Sequence, residues 1–233
     1  VVRTVPEGRF AQLIEVATKT FVARGYRLTQ MADVADALGV AKGTLYGYVA
    51  SKEALFDAAV RFADHPPASP PALPLPAPAS GSTLQYIQAR LLEEAREFEL
   101  VQALSRPKGE RAKPAEFEGI LRDLYRRMSR NRRALKLIDR CAIDHPDLAS
   151  VWFEQGRYSQ VGLLATYFEK RIAAGKLRPV SNVQLAARMV LETVALWAIH
   201  MPWDEAPRPF ANDEVESAVV DLLAHAFMKE KAR

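Results

Sequence analysis

Apolar positions recur at helical spacing along most of the chain. Phe10, Leu13, Ile14, Ala17 and Phe21 fall at i, i+3, i+4, i+7 and i+11, one face of a first helix from about Arg9 to Arg24 that Gly25 ends. Met31, Ala32, Val34, Ala35 and Leu38 predict a second, short helix, with Thr29 as its N-cap. Gly39 supplies the left-handed residue at which such a helix stops. Val40 re-enters the core, and a third short helix from Ala41 to about Gly47 carries small and polar side chains. Ser51 caps a fourth, with Glu53 in its first turn and Leu55, Phe56, Ala59 and Phe62 as its stripe. Two short helices across a glycine turn, with small residues at Ala35 and Ala41 to let them cross closely, make a helix-turn-helix. That device lays its second helix in the major groove of DNA.

The pattern breaks between His65 and Ser82, where Pro66, Pro67, Pro70, Pro71, Pro74, Pro76 and Pro78 exclude a helix or an internal strand and predict a stiff, extended linker. Helical spacing returns with Leu84, Ile87, Leu91, Leu92, Ala95 and Phe98, from about Thr83 to Leu104. Residues 105–116, with Pro107, Gly109 and Pro114, read as a loop. A helix from near Ala115 leads into a run of basic residues, Arg126 to Arg140, whose plain reading is a solvated basic face, with contact to an anionic ligand or to DNA as the alternative. Asp144-His145-Pro146-Asp147 is a helix boundary, with Pro146 at the first helical position. A long helix then runs from about Leu148 to Ala174. The next, capped by Asn182 or Ser181 and reaching Met201, is apolar nearly all round and must be covered on most sides. The last spans about Asn212 to Lys229. The fold class is all-α. The expected domains are a DNA-binding head at 1–65, a linker at 66–82, and a larger helical domain at 83–233 for effector binding and dimerisation.

The head resembles the DNA-binding domain of the tetracycline-repressor (TetR) family of transcriptional regulators. The resemblance is carried by Phe10, Ala17, Phe21, Gly25, Thr29, Ala32, Ala35, Gly39 and Val40. It continues through Lys42-Gly43-Thr44-Leu45-Tyr46 to Ser51-Lys52-Glu53 and Leu55. It implies DNA contact by Lys42, Thr44, Tyr46, Tyr48 and Lys52, with Thr29 and Gly43 completing the site. Gly43 permits close backbone approach, and Lys52 would face a phosphate. Leu45 and Val49 should point inward. Where relatives carry a larger residue, Gly47 offers no side chain to read a base and weakens the helix by about 1 kcal/mol relative to alanine. The resemblance also implies a homodimer through the last two helices, with Leu185, Met189, Val219, Leu222, Leu223 and Phe227 as interface candidates. A small-molecule effector is implied as well, with Phe117, Tyr125, Met128, Trp152, Phe153, Tyr167, Met189, Trp197 and His200 as candidate liners.

Composition changes this picture little. The 233 residues carry a formal charge of +4, which suits a polyanionic partner without requiring one. The longest apolar run, Thr193 to Met201, is too short for a membrane span. One cysteine, Cys141, and no basic-then-apolar leader pattern lead us to expect a reducing, cytoplasmic setting. No nucleophile elbow, phosphate loop, paired-ligand metal spacing or convergent carboxylate pair is visible, so neither catalysis, cofactor nor metal is expected. The expected function is a repressor released from a palindromic operator by a small molecule. The alternative is a DNA-binding regulator whose core is filled and takes no effector.

Overall fold

The computed structural model describes residues 8–67, 71–106, 115–204 and 210–229. Expectations about Pro70 and about Pro107, Gly109 and Pro114 in the loop fall outside those residues. The chain is all-α. Its helices are α1 Arg9–Leu28, α2 Met31–Leu38, α3 Lys42–Leu45, α4 Lys52–Phe62, α5 Ser82–Glu97, α6 Glu99–Ser105, α7 Glu116–Arg130, α8 Arg132–Ala142, α9 Pro146–Ala149, α10 Ser159–Ala173, α11 Val183–Ala195 and α12 Asn212–Phe227. Wider π turns occupy Ser150–Tyr158 and Leu196–His200. Among the described residues, β pairing is limited to isolated bridges, Val49 with Leu75 and Leu177 with Met228. The chain divides into two compact units, one from residues 1–88 and 133–153, the other from 89–132 and 154–233.

In the first unit, Leu13, Ala17, Phe21, Val34, Leu45, Val49, Leu55 and Ala59 are fully or almost fully buried, as the apolar stripes predict. Phe21 and Tyr26 meet the Phe56 ring edge-on, with centroids 5.3 and 5.1 Å away. Gly25 breaks α1 with φ +82°, a conformation that only glycine adopts cheaply. A side chain there would also meet Asp144 Oδ2 at 2.3 Å. The α8 helix belongs to this unit through both its ends. Asp64 accepts the Arg133 and Ala134 N–H groups at 2.9 Å each, which satisfies donors left unpaired in the first turn. Burial pushes the Asp64 carboxyl above its ordinary range, against the pull of those two bonds. Cys141, near the other end, is buried against Phe21, and burial pushes its thiol up to about 12. At that pKa it stays protonated and unreactive. His145 caps α9 by accepting the Leu148 N–H at 3.4 Å, with Pro146 in the first turn as predicted.

In the second unit, α7 packs against α6, α11, α12 and the 196–200 turn, and α10 packs on α11 and α6. The predicted helix 83–104 is in fact two. The chain turns extended at Phe98, and α7 stabilises the break: Asp123 accepts the Glu99 N–H at 2.9 Å and Arg127 donates to the Glu97 carbonyl at 2.7 Å. Much of the arginine run of α7 is paired rather than simply solvated. Arg126 bonds the buried Glu216 at 2.8 Å, and Arg127 and Arg130 bond Glu94 at 2.8 and 2.6 Å. Glu116, whose side chain is only 7% exposed, takes Arg171 at 2.7 Å, the Tyr167 hydroxyl at 3.1 Å, and Arg106. A buried carboxylate keeps its charge only with such partners. Burial alone would raise its pKa, but Arg171, Arg106 and the Tyr167 hydroxyl together outweigh that and hold the carboxyl below its usual range.

Candidate nucleic-acid interface

The α2–turn–α3 geometry follows from two local features. Gly39 takes φ +70° and its N–H returns to Asp36 O, which closes α2. The Gln30 N–H donates to Asp33 Oδ2 at 2.8 Å and starts it. Thr29 does not cap: it is 1% exposed, and its hydroxyl donates to the Gly25 carbonyl at 2.6 Å. It serves the α1 break instead, and cannot touch DNA while buried there.

The α3 helix is a single turn, shorter than the predicted reach to Gly47. Leu45 and Val49 are fully buried beneath it. Ala41, Lys42, Gly43, Tyr46 and Gly47 lie exposed on the outside, and Thr44 is half-buried. A Cβ added at Gly43 would meet nothing within 4 Å, so open space lies over that backbone. Lys42 and Tyr46, four apart, share one side. Tyr48, also expected at DNA, is only 9% exposed and belongs to the packed underside.

Lys52 has a task that spacing did not disclose. Its ammonium donates to the Tyr26 carbonyl at 3.1 Å and to the Arg27 carbonyl at 3.5 Å, and it lies 4.6 Å over the Tyr26 ring. On the other side of the same turn, Asp144 accepts the Tyr26 and Arg27 N–H groups at 3.1 and 3.3 Å. Burial, with the Glu53 carboxylate nearby, pushes the Tyr26 phenol up to about 12. The broken α1 is thus held from both faces by side chains distant in sequence. Sequence reasoning missed Asp144 here, and assigned Lys52 to phosphate alone.

Profiles of two protein families match the chain. That of bacterial regulatory proteins of the tetR family covers residues 13–59, and the C-terminal domain of AefR-like transcriptional repressors covers residues 129–228. The chain belongs to the TetR family. The HTH-type transcriptional repressor KstR2 of Rhodococcus jostii is 41% identical over 54 residues, 23% of this TetR-family chain. The match spans only 26% of that protein's length. The structure of the ketosteroid transcriptional regulator KstR2 of Mycobacterium tuberculosis superposes with a TM-score of 0.61 at 20% identity, over 99% of this chain and 100% of that one. AibR, solved with isovaleryl coenzyme A and operator DNA, gives a TM-score of 0.50 at 18% identity, over 92% and 97%. At such identities the likeness establishes a shared TetR fold.

The other predicted positions divide by unit. In the first, Trp152 is buried and donates its indole N–H to Asp139 at 2.8 Å, and Phe153 is half-buried. In the second, Phe117 stacks on Tyr167 with centroids 6.1 Å apart, and Phe168 and Phe227 complete the cluster. The Tyr125 hydroxyl donates to Asn212 at 3.3 Å. Met128, Trp197 and His200 are half-buried, the last two on the 196–200 turn that packs against α7. Met189, named for both ligand and dimer, is 56% exposed and lines no interior. Leu185 and Leu222 are likewise exposed, whereas Val219, Leu223 and Phe227 are buried within the subunit and offer a partner no surface. No group of three or more metal-binding side chains occurs among the described residues, and no helix there is long and apolar enough to cross a membrane.

Replacing Lys52 by alanine should lower stability in urea denaturation by about 1–2 kcal/mol, the sum of two carbonyl bonds and a ring contact. An unchanged midpoint would return Lys52 to a phosphate-only role.

Proposed function

We infer that this TetR-family chain is a homodimeric DNA-binding repressor that leaves a near-palindromic operator when a small molecule binds. The carrying observation is the exposed side of α3. Lys42, Gly43, Thr44 and Tyr46 stand on a turn whose other side, Leu45 and Val49, is fully buried. A charge, two hydroxyls and an open backbone are what groove contact needs. The solved AibR complex, of the same fold, carries operator DNA in that protein.

One head reads a short half-site, so two heads about 34–36 Å apart, or a multiple, would span successive grooves. The surface that supports pairing is Leu185, Met189 and Leu196 on one stripe of α11 and the adjoining turn, with Leu222 on α12. These side chains are 45–62% exposed, and large apolar side chains left to solvent on neighbouring helices support an association site there. Within the second unit, the Glu94, Glu116 and Glu216 pairings neutralise arginines that an anionic effector would otherwise meet. They support an apolar or aromatic effector. The relatives' names add a ketosteroid and an acyl coenzyme A as probes. A filled core without an effector has its own support: Phe117, Tyr125 and Tyr167 are 1–4% exposed and closely packed.

Lys42→Ala should weaken binding to every duplex and reduce the salt dependence by about one counterion, whereas Thr44→Ala should also change which sequence is preferred. Equal, sequence-independent losses in a binding titration would contradict the assigned roles. Leu222→Asp should yield monomers by analytical ultracentrifugation with its thermal midpoint little changed, since the side chain is 62% exposed. A dimer that survives places the interface elsewhere. Titration with steroid and acyl-coenzyme A panels should raise the thermal midpoint and release DNA together. Stable DNA binding without any midpoint shift favours the filled core.

A further inference from the structure

The described part of the proline-rich stretch is tied to the first unit along its length. Where it leaves α4, Asp64 is fixed by the Arg133 and Ala134 N–H groups. At its far end, the Thr83 hydroxyl donates to Asp57 at 2.8 Å, and the Arg61 guanidinium lies 4.2 Å over the Tyr86 ring. Asp57 and Arg61 are both on α4, so the segment departs from that helix and returns to it. Between those anchors it meets the loop that follows α3. The Leu75 N–H donates to the Tyr48 carbonyl at 2.8 Å, and the Ala50 N–H donates to the Leu75 carbonyl at 2.9 Å.

The sequence suits this single contact. Proline has no N–H, so within Pro74-Leu75-Pro76 there is one backbone donor, and it is the one that is used. Pro76 also holds Leu75 in the extended region that pairing requires. Flanking prolines stop the bridge from growing into a ladder or recruiting another strand. The turn that it touches needs outside support. The α3 helix is one turn long, contains Gly43 and is followed by Gly47, both poor helix formers. Its C-terminal side runs directly into Tyr48 and Ala50.

We propose that the strap around Leu75 is a positioning element for DNA reading. Its backbone pair with Tyr48 and Ala50 fixes the C-terminal side of α3, so that Lys42, Thr44 and Tyr46 meet the groove in one register. This rests on the DNA-binding reading above. Leu75 itself touches no DNA in this account.

The test uses the full chain and two labelled duplexes, one selected by the wild-type protein from a random pool and one scrambled. Leu75→Pro removes the donor to Tyr48 and should weaken binding to the selected duplex by about fivefold to tenfold. Binding to the scrambled duplex, set by phosphate charge, should stay within about twofold. Leu75→Ala keeps both backbone bonds and should match wild type on both. Pro74→Gly combined with Pro76→Gly keeps every donor but frees the strap, and should lose the same selectivity if Leu75→Pro does not fold. In the wild-type protein, the Ala50 and Leu75 amides should exchange slowly with deuterium. Fast exchange at both, or variants that select as wild type does, would overturn the strap's role and leave DNA binding intact. If wild type selects no duplex at all, the DNA-binding reading itself fails and the strap's role with it.

Discussion

The first unit depends on how it treats the backbone exposed where α1 breaks. Gly25 interrupts the helix and leaves N–H and C=O groups at Tyr26 and Arg27 without helical partners. A buried or half-buried polar group left in that state costs about 1–3 kcal/mol each. Asp144 takes the donors, Lys52 takes the acceptors, and Thr29 takes the Gly25 carbonyl. Three segments, one of them more than a hundred residues away in sequence, are thereby fixed around one turn. Since Lys52 opens α4 and Thr29 lies two residues before α2, the same knot sets where the two ends of the helix-turn-helix lie.

The second unit applies the same rule to charge. Glu216 and Glu116 are buried carboxylates, each shared by more than one cation or hydroxyl. Each would be destabilising with a partner removed, and together they fix α12 and α10 against α7. The arginine run that looks like a free basic surface in sequence is, on α7, largely consumed by this pairing. The stripe on α11 and α12 stays outwardly apolar, which is why the proposed dimer surface rests there.

The helix-turn-helix was legible because its determinants are local. Glycine at 39, serine at 51, asparagine at 182 and proline at 146 act within one turn of themselves, and each does in the structure what its chemistry predicts. The Gly43-Thr44-Leu45-Tyr46 motif was legible for the same reason, with Leu45 inward and its neighbours outward. The break at Phe98 was not, because α7 supplies both of its partners and nothing near Phe98 signals them.

By itself, then, the sequence determined which residues share a face, where most helices stop, and that the head is a TetR-family helix-turn-helix. Tertiary structure alone decided what covers each face. Periodicity is blind to that, because Leu222 and Leu223 are adjacent leucines and differ only in what lies beyond them: solvent for one, the subunit's own core for the other. The same holds for Tyr48, Thr29 and Lys52. Their side chains could serve DNA or the fold equally well, and what surrounds each in the folded unit made the choice: burial for Tyr48, the carbonyl freed at Gly25 for Thr29, and the Tyr26 and Arg27 carbonyls for Lys52.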